Sequence, residues 1–209
     1  MSTQATAAAA QGHAHRDDIG SKIGIWLFLF TELILFGGMF IVYAVYRFAH
    51  PAEFHLAAIE LDTFVGTVNT IILLTSSLTV ALSIRAIQDG RKNLSLLMVG
   101  LTLVLAAAFL VNKYFEWSHK FSVGIYPRSP EMLNRPSGEI LYFGLYFTMT
   151  GLHALHVIIG MAVLGYMMRS IAKGRINRES HVRLEAGGLY WHLVDIIWIF
   201  LFPLFYLLQ

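Results

Sequence analysis

Residues 187–208 read GGLYWHLVDIIWIFLFPLFYLL. These 22 residues carry a single formal charge, Asp195. A helix needs about 20 apolar residues to cross a bilayer, whereas a barrel strand needs about 10 and alternates in character. This stretch is long and does not alternate, so it predicts a membrane-spanning helix. The whole chain agrees with it. Of 209 residues, 56% are hydrophobic and only 13% are charged, about half the usual charged share of a soluble domain. The mean hydropathy is +0.62. Such a composition excludes disorder, a coiled coil and a nucleic-acid-binding module. The chain has no cysteine, which excludes disulfides, zinc–thiolate sites and thiol catalysis.

Four further apolar runs precede this one, at about 22–48, 62–87, 94–115 and 138–168. The expected fold is therefore all-α, an integral membrane bundle of five transmembrane helices, with residues 22–209 as one domain. Only helices satisfy the backbone of such runs in lipid. Residues 1–21 are small and polar and read as a mobile cytoplasmic tail. The basic segment of a signal peptide is missing from it. His13 and His15 in that tail could bind a metal, but ordering two mobile ligands is costly, and a solvated tail is the simpler reading. The segment 121–136 holds Pro127, Pro130 and Pro136 and predicts a turn-rich loop rather than a helix.

Charge fixes the expected orientation. With the N-terminus in the cytoplasm, the inner segments hold Arg16, Lys22, Arg85, Arg91, Lys92, Arg169, Lys173, Arg175, Arg178 and Arg183. The outer ones hold Arg47, Lys113, Lys120, Arg128 and Arg135. Ten cations against five favour N-in, C-out by the positive-inside rule.

Ionisable residues inside a bilayer are costly and need a reason. Glu32, His153, His156, His192 and Asp195 all fall within the apolar runs. At about 1.5 Å per residue, Glu32, His156 and Asp195 lie at similar depths. Three readings are open for this group: a metal or haem site, a proton path, or polar cross-links between helices. The spacing His153-x-x-His156 places both imidazoles on one side of a helix, which is a weak metal signal on its own. No second carboxylate pairs with Glu32 within a turn, which disfavours a di-metal carboxylate site. Glu116, in KYFEW beside Lys113, is expected to form an ordinary surface salt bridge, with Tyr114, Phe115 and Trp117 in an interfacial aromatic belt. Gly37, Gly38, Gly144, Gly151, Gly160 and Gly165 are expected at helix contacts, as is Thr75-Ser76-Ser77. The basic stretch Arg169 to Arg183, with His181 and Glu185, could hold anionic lipid headgroups or could be an unliganded positive-inside loop.

Five stretches carry a resemblance to a family. They are GIWLFLFTELILFG at 24–37, VNTIILLTSSLTVALSIRA at 68–86, KYFEW at 113–117, FTMTGLHALHVIIG at 147–160 and YWHLVDIIWIFLFPLFY at 190–206. In this order they resemble subunit III of the haem–copper respiratory oxidases, in the short five-helix form shared with bo-type quinol oxidases. The family's buried, carbodiimide-reactive glutamate matches Glu32. Its G-x-H-x-x-H-V-I-x-G histidines match His153 and His156. Its Trp-His-x-x-Asp matches Trp191, His192 and Asp195.

The resemblance implies a non-redox subunit of a proton-pumping terminal oxidase that reduces oxygen to water. Such a subunit holds no metal or catalytic residue of its own. Haems and copper are expected in partner subunits: subunit I mainly, with subunit II and a small subunit IV. Bound phospholipid is implied in a V-shaped cleft between the first two helices and the last three. The candidate lipid-binding residues are Arg169, His181, Arg183, Glu185 and Trp191. The implied location is the bacterial inner membrane, with the N-terminus cytoplasmic and no nucleic-acid partner. ELILFGGMF and SSLT resemble cytochrome c oxidases more than quinol oxidases. The related accessory subunit of nitric oxide reductases and a free-standing haem carrier using His153, His156 and His192 are the rival readings.

Overall fold

The computed structural model describes the backbone of residues 2–208 and the side chains of residues 23–208. The side chains of His13 and His15, and those of the expected mobile tail, lie outside the described residues. Among the described residues seven α-helices run in chain order: α1 Ser2–Ala49, α2 Pro51–Ile59, α3 Thr63–Gln88, α4 Lys92–Ser122, α5 Pro130–Leu133, α6 Ser137–Ala172 and α7 Val182–Phe202. A π-helical turn, Pro203–Leu207, continues α7. Five segments are long and apolar enough to cross a membrane: Ile23–Ala49, Thr63–Gln88, Lys92–Ser122, Ser137–Ala172 and Val182–Leu207.

The boundaries have local causes. Asp62 caps α3, its carboxylate accepting from Phe64 N at 2.9 Å, which satisfies an orphan amide of the first turn. Pro51 sits in the first turn of α2, where its missing N–H costs nothing. The proline-rich loop contains one short helical turn, α5. There Ser129 Oγ accepts from Met132 N at 3.0 Å. The third span runs to Ser122, seven residues past its expected end, because Lys113, Glu116 and Lys120 are buried rather than exposed at a membrane surface.

Hydroxyls and amides select the helix partners. Along α3 and α4, Thr79 meets Thr102 at 2.7 Å, Ser83 meets Ser95 at 3.0 Å, and Asn112 donates to Asn69 at 2.9 Å. Along α3 and α7, Trp191 Nε1 donates to Ser76 at 3.1 Å and Trp198 Nε1 to Thr70 at 3.0 Å. Each pair forms successive rungs between antiparallel helices. In a bundle without a hydrophobic drive between helices, such bonds and close packing decide who pairs.

The expected separation of the first two spans from the last three is corrected by this pattern. The first span, α1, packs mainly on α6 and α7, while the second, α3, packs mainly on α4 and α7. The grouping followed chain order; the polar stripe of α3 faces α4 and α7 instead. The glycines divide in the same way. A Cβ on Gly160 would lie 2.8 Å from the Trp191 ring, and one on Gly151 would lie 3.2 Å from Trp117. Gly37, Gly38, Gly144 and Gly165 have nothing within 4 Å of that position, so they are not close helix contacts here.

The C-terminal turn is tied to three helices. Its carbonyls Leu204 O, Phe205 O and Tyr206 O accept hydroxyls from Tyr43 of α1 at 2.5 Å, Tyr142 of α6 at 2.7 Å and Thr63 of α3 at 3.1 Å. Carbonyls left over at a helix end in an apolar setting need such partners.

Candidate functional site: buried polar groups of the bundle

Glu32 projects from α1 toward α6, where its Oε2 lies 2.9 Å from His156 Nε2. Both side chains are largely buried. The other ring nitrogen, Nδ1, lies 2.7 Å from Leu152 O, and a carbonyl can only accept. Nδ1 therefore carries a proton, and a single further proton is shared between Nε2 and the Glu32 carboxyl. Charged as His⁺–Glu⁻ or neutral as His–HO–Glu, the pair has no net charge. That arrangement removes most of the cost of placing an acid at this depth. Phe36 packs edge-on against the imidazole at 5.3 Å, and Tyr190 OH donates to His156 O at 3.2 Å.

His153, one turn away, points elsewhere. It is fully buried between Phe109 and Trp198, and among the described residues neither ring nitrogen has a hydrogen-bond partner. His192 and Asp195 lie on the α3 side of α7. Ser77 Oγ is 2.6 Å from His192 Nδ1. Asp195 is buried beside Ser77, with neither carboxylate oxygen in hydrogen-bond geometry. The five ionisable residues found within the apolar runs thus occupy three separate places. Among the described residues, no three His, Asp or Glu side chains converge as a metal's ligand set would.

A second buried cluster was read from the sequence as a surface salt bridge, and that reading is corrected. Lys113 and Glu116 are 4% and 7% exposed. Lys113 Nζ has three N–H donors and three acceptors: Glu116 Oε2 at 3.1 Å, Tyr206 OH at 2.6 Å and Tyr146 OH at 3.3 Å. The other carboxylate oxygen, Oε1, accepts from both Tyr146 OH and Tyr206 OH, the latter at 2.5 Å. Trp198 lies under the ammonium at 4.9 Å. The cluster joins α4, α6 and the C-terminal turn. The i, i+3 spacing of Lys113 and Glu116 was visible in the sequence; the two tyrosines that enclose it come from 30 and 90 residues farther along. Tyr114 and Phe115 remain exposed, as a belt requires, while Trp117 turns inward against Phe147.

Nearby, Lys120 reaches Glu60 O at 2.5 Å. Arg135, in the loop, bonds Glu60 at 2.5 Å and Glu139 at 3.1 Å. The hydrogen bond Arg135 donates to Glu60, helped by the charges of Glu60 and Glu139, holds the guanidinium pKa above its ordinary value.

At the opposite end of the bundle the candidate lipid residues separate. Arg169 is exposed. Arg183 borders an apolar groove of about 300 Å³ between α1, α6 and α7, walled by Ile25, Phe28, Val163 and Tyr190. His181 and Glu185 bond one another at 3.2 Å, and Glu185 also accepts from Gln88. Trp191 is wholly enclosed, its indole bonded to Ser76 and its ring against Gly160. It is a packing residue and lines no lipid surface.

The family model described as Cytochrome c oxidase subunit III matches residues 2–209. The chain belongs to that family. It is a haem–copper oxidase subunit III and a multi-pass membrane protein. It is 32% identical over 209 residues to a cytochrome c oxidase subunit 3 of Thermostichus vulcanus, covering 100% of this chain and 96% of that one. To a cytochrome bo(3) ubiquinol oxidase subunit 3 of Pseudomonas aeruginosa it is 30% identical, over 94% of this chain and 88% of that one. A heme-copper oxidase subunit I+III of Aeropyrum pernix is 33% identical over 194 residues, which is 89% of this chain and 22% of the fusion.

Proposed function

We propose that the chain works as the non-redox subunit III of a proton-pumping cytochrome c oxidase. It packs against subunit I, with subunit II and a small subunit IV in the same complex. It supports assembly of the catalytic subunit, lipid retention and proton uptake. The observation that carries the reading is how the buried ionisable groups are used. Glu32 and His156 join α1 to α6, and Lys113 and Glu116 join α4, α6 and the C-terminal turn. These are cross-links between helices, as a scaffold subunit needs.

The natural I+III fusion supports subunit I as the main partner. The charge asymmetry supports a cytoplasmic N-terminus in a bacterial inner membrane. The groove bordered by Arg183 fits an acyl chain with its phosphate at the basic end, with Arg169, His181 and Glu185 close by in sequence.

The test is affinity isolation through a tag on the N-terminus in mild detergent, followed by a visible spectrum and an oxygen-consumption assay. The proposal expects haem, copper and oxygen reduction to be recovered with two larger subunits, and reduced cytochrome c to outperform a quinol as donor. A colourless chain recovered alone would overturn the subunit reading. Preference for the quinol would overturn only the donor.

A further inference from the structure

We propose that the strip of α7 between α3 and α1, centred on His192, is the surface on which a transmembrane helix of subunit I docks, and that this helix supplies a hydrogen-bonding side chain to His192 Nε2. The inference rests on the reading of the chain as an oxidase subunit and adds which face is used and by what contact.

The geometry comes from α7. One side of it binds α3 through Trp191, His192 and Trp198. Another side meets α1, where Tyr190 packs on Phe28 and Phe200 on Phe40. Between these sides runs an outward strip of His192, Ile196 and Ile199, with Leu74 of α3 at its edge. α1 and α3 flank α7 on either side and leave Ile196 and Ile199 exposed between them.

An apolar strip alone would suit lipid. His192 changes that. It stands ten residues inside the span that starts at Val182, roughly 15 Å along the helix axis at 1.5 Å per residue. It is only partly buried. Its Nδ1 is occupied by Ser77, and among the described residues nothing bonds Nε2. Unlike both nitrogens of His153, Nε2 is not enclosed within the chain, so it reaches the bundle surface. An unpaired polar atom facing hydrocarbon costs several kcal/mol, and ionisable side chains at this depth face protein or water rather than lipid. Acyl chains have no donor or acceptor to offer here, whereas a neighbouring helix with a hydroxyl, amide or carboxyl does. The outward face of α4 differs. On α4, Leu97, Leu101, Val104 and Val111 are exposed and wholly apolar, as lipid contact requires.

The absence of cysteine makes single-site probing clean. A photo-crosslinking residue would be placed in turn at Ile196, Leu74 and Val104 in the tagged full chain, and the complex isolated and irradiated. The proposal expects covalent adducts with subunit I from Ile196 and Leu74, and lipid adducts from Val104. In parallel, His192→Phe should speed loss of the chain from the purified complex by about tenfold, the equivalent of one interhelical hydrogen bond, and His192→Asn should restore part of it. Recovery of haem together with adducts to subunit I from Val104 alone, or to lipid at all three sites, would overturn this docking face while leaving the subunit reading intact. Failure to recover any haem would overturn the subunit reading, and this inference with it.

Discussion

Glu116 and Glu32, two of the acids the bundle buries, are held differently. Around Glu116 the cluster closes on itself: one donor of Lys113 and two tyrosyl hydroxyls meet the carboxylate, and the other two donors of Lys113 go to those same hydroxyls. Around Glu32 there is one partner, His156, and one shared proton. The first cluster sits where α4, α6 and the C-terminal turn meet. The second sits between α6 and α1, the span with the least buried surface of the five. A saturated cluster between several elements can only hold shape. A two-member pair at the edge of the bundle ties fewer elements together. The contrast predicts a larger structural share for Lys113–Glu116 than for Glu32–His156.

The largest expected effect follows from breaking the saturated cluster. Lys113→Met would leave Glu116 buried with its charge uncompensated, and removing one member of a buried pair costs about 3–5 kcal/mol. Little folded chain should then reach the membrane, measured by the amount retained after mild-detergent extraction. Replacing both members with apolar residues should recover much of the loss. If Lys113→Met alone were tolerated, the cluster would not be the structural centre claimed here.

Packing around the second site gives the next effect. Gly160→Ala drives a methyl into Trp191, and overpacking of this kind costs about 1–3 kcal/mol. Gly144→Ala, with open space at its Cβ, should be nearly silent. Thermal aggregation of the detergent-solubilised complex separates the two variants, and equal midpoints would count against the close approach of α6 and α7.

Smaller still is Tyr43→Phe, which removes one of the three hydroxyls on the C-terminal turn. A lost hydrogen bond of this type is worth about 1 kcal/mol, read by the same melt.

The smallest effect is expected for Glu32→Gln. His156 keeps its Nδ1 proton on Leu152 O, and its Nε2 can accept from the new amide. Stability should change by less than about 0.5 kcal/mol, while carbodiimide labelling of the chain disappears. A destabilisation as large as that of Lys113→Met would erase the distinction between the two sites.

Much of the fold could be read from residues alone, because length and hydropathy suffice for five spans. Helix partners could not. The stripe Asn69, Ser76, Thr79, Ser83 looks in sequence like a generic small-residue face, and only the registry with α4 and α7 says which helices it joins. Glu32 and His156 were legible as costly polar groups at similar depth, and the structure brings those two together. His192 and Asp195 were legible as polar but not as members of a separate site, because depth fixes height and leaves direction around the bundle open. Lys113 and Glu116 were misjudged for a related reason. They lie near a span's end by count, yet Tyr146 of α6 and Tyr206 of the C-terminal turn close over them and remove them from solvent.

The most direct measurement compares Lys113→Met with Glu32→Gln in the purified complex, at matched expression, scoring chain retained per haem and oxygen consumption per retained chain. Loss of the chain is expected for Lys113→Met, and full retention with any defect confined to turnover for Glu32→Gln. Full retention of Lys113→Met beside loss of Glu32→Gln would contradict this expectation.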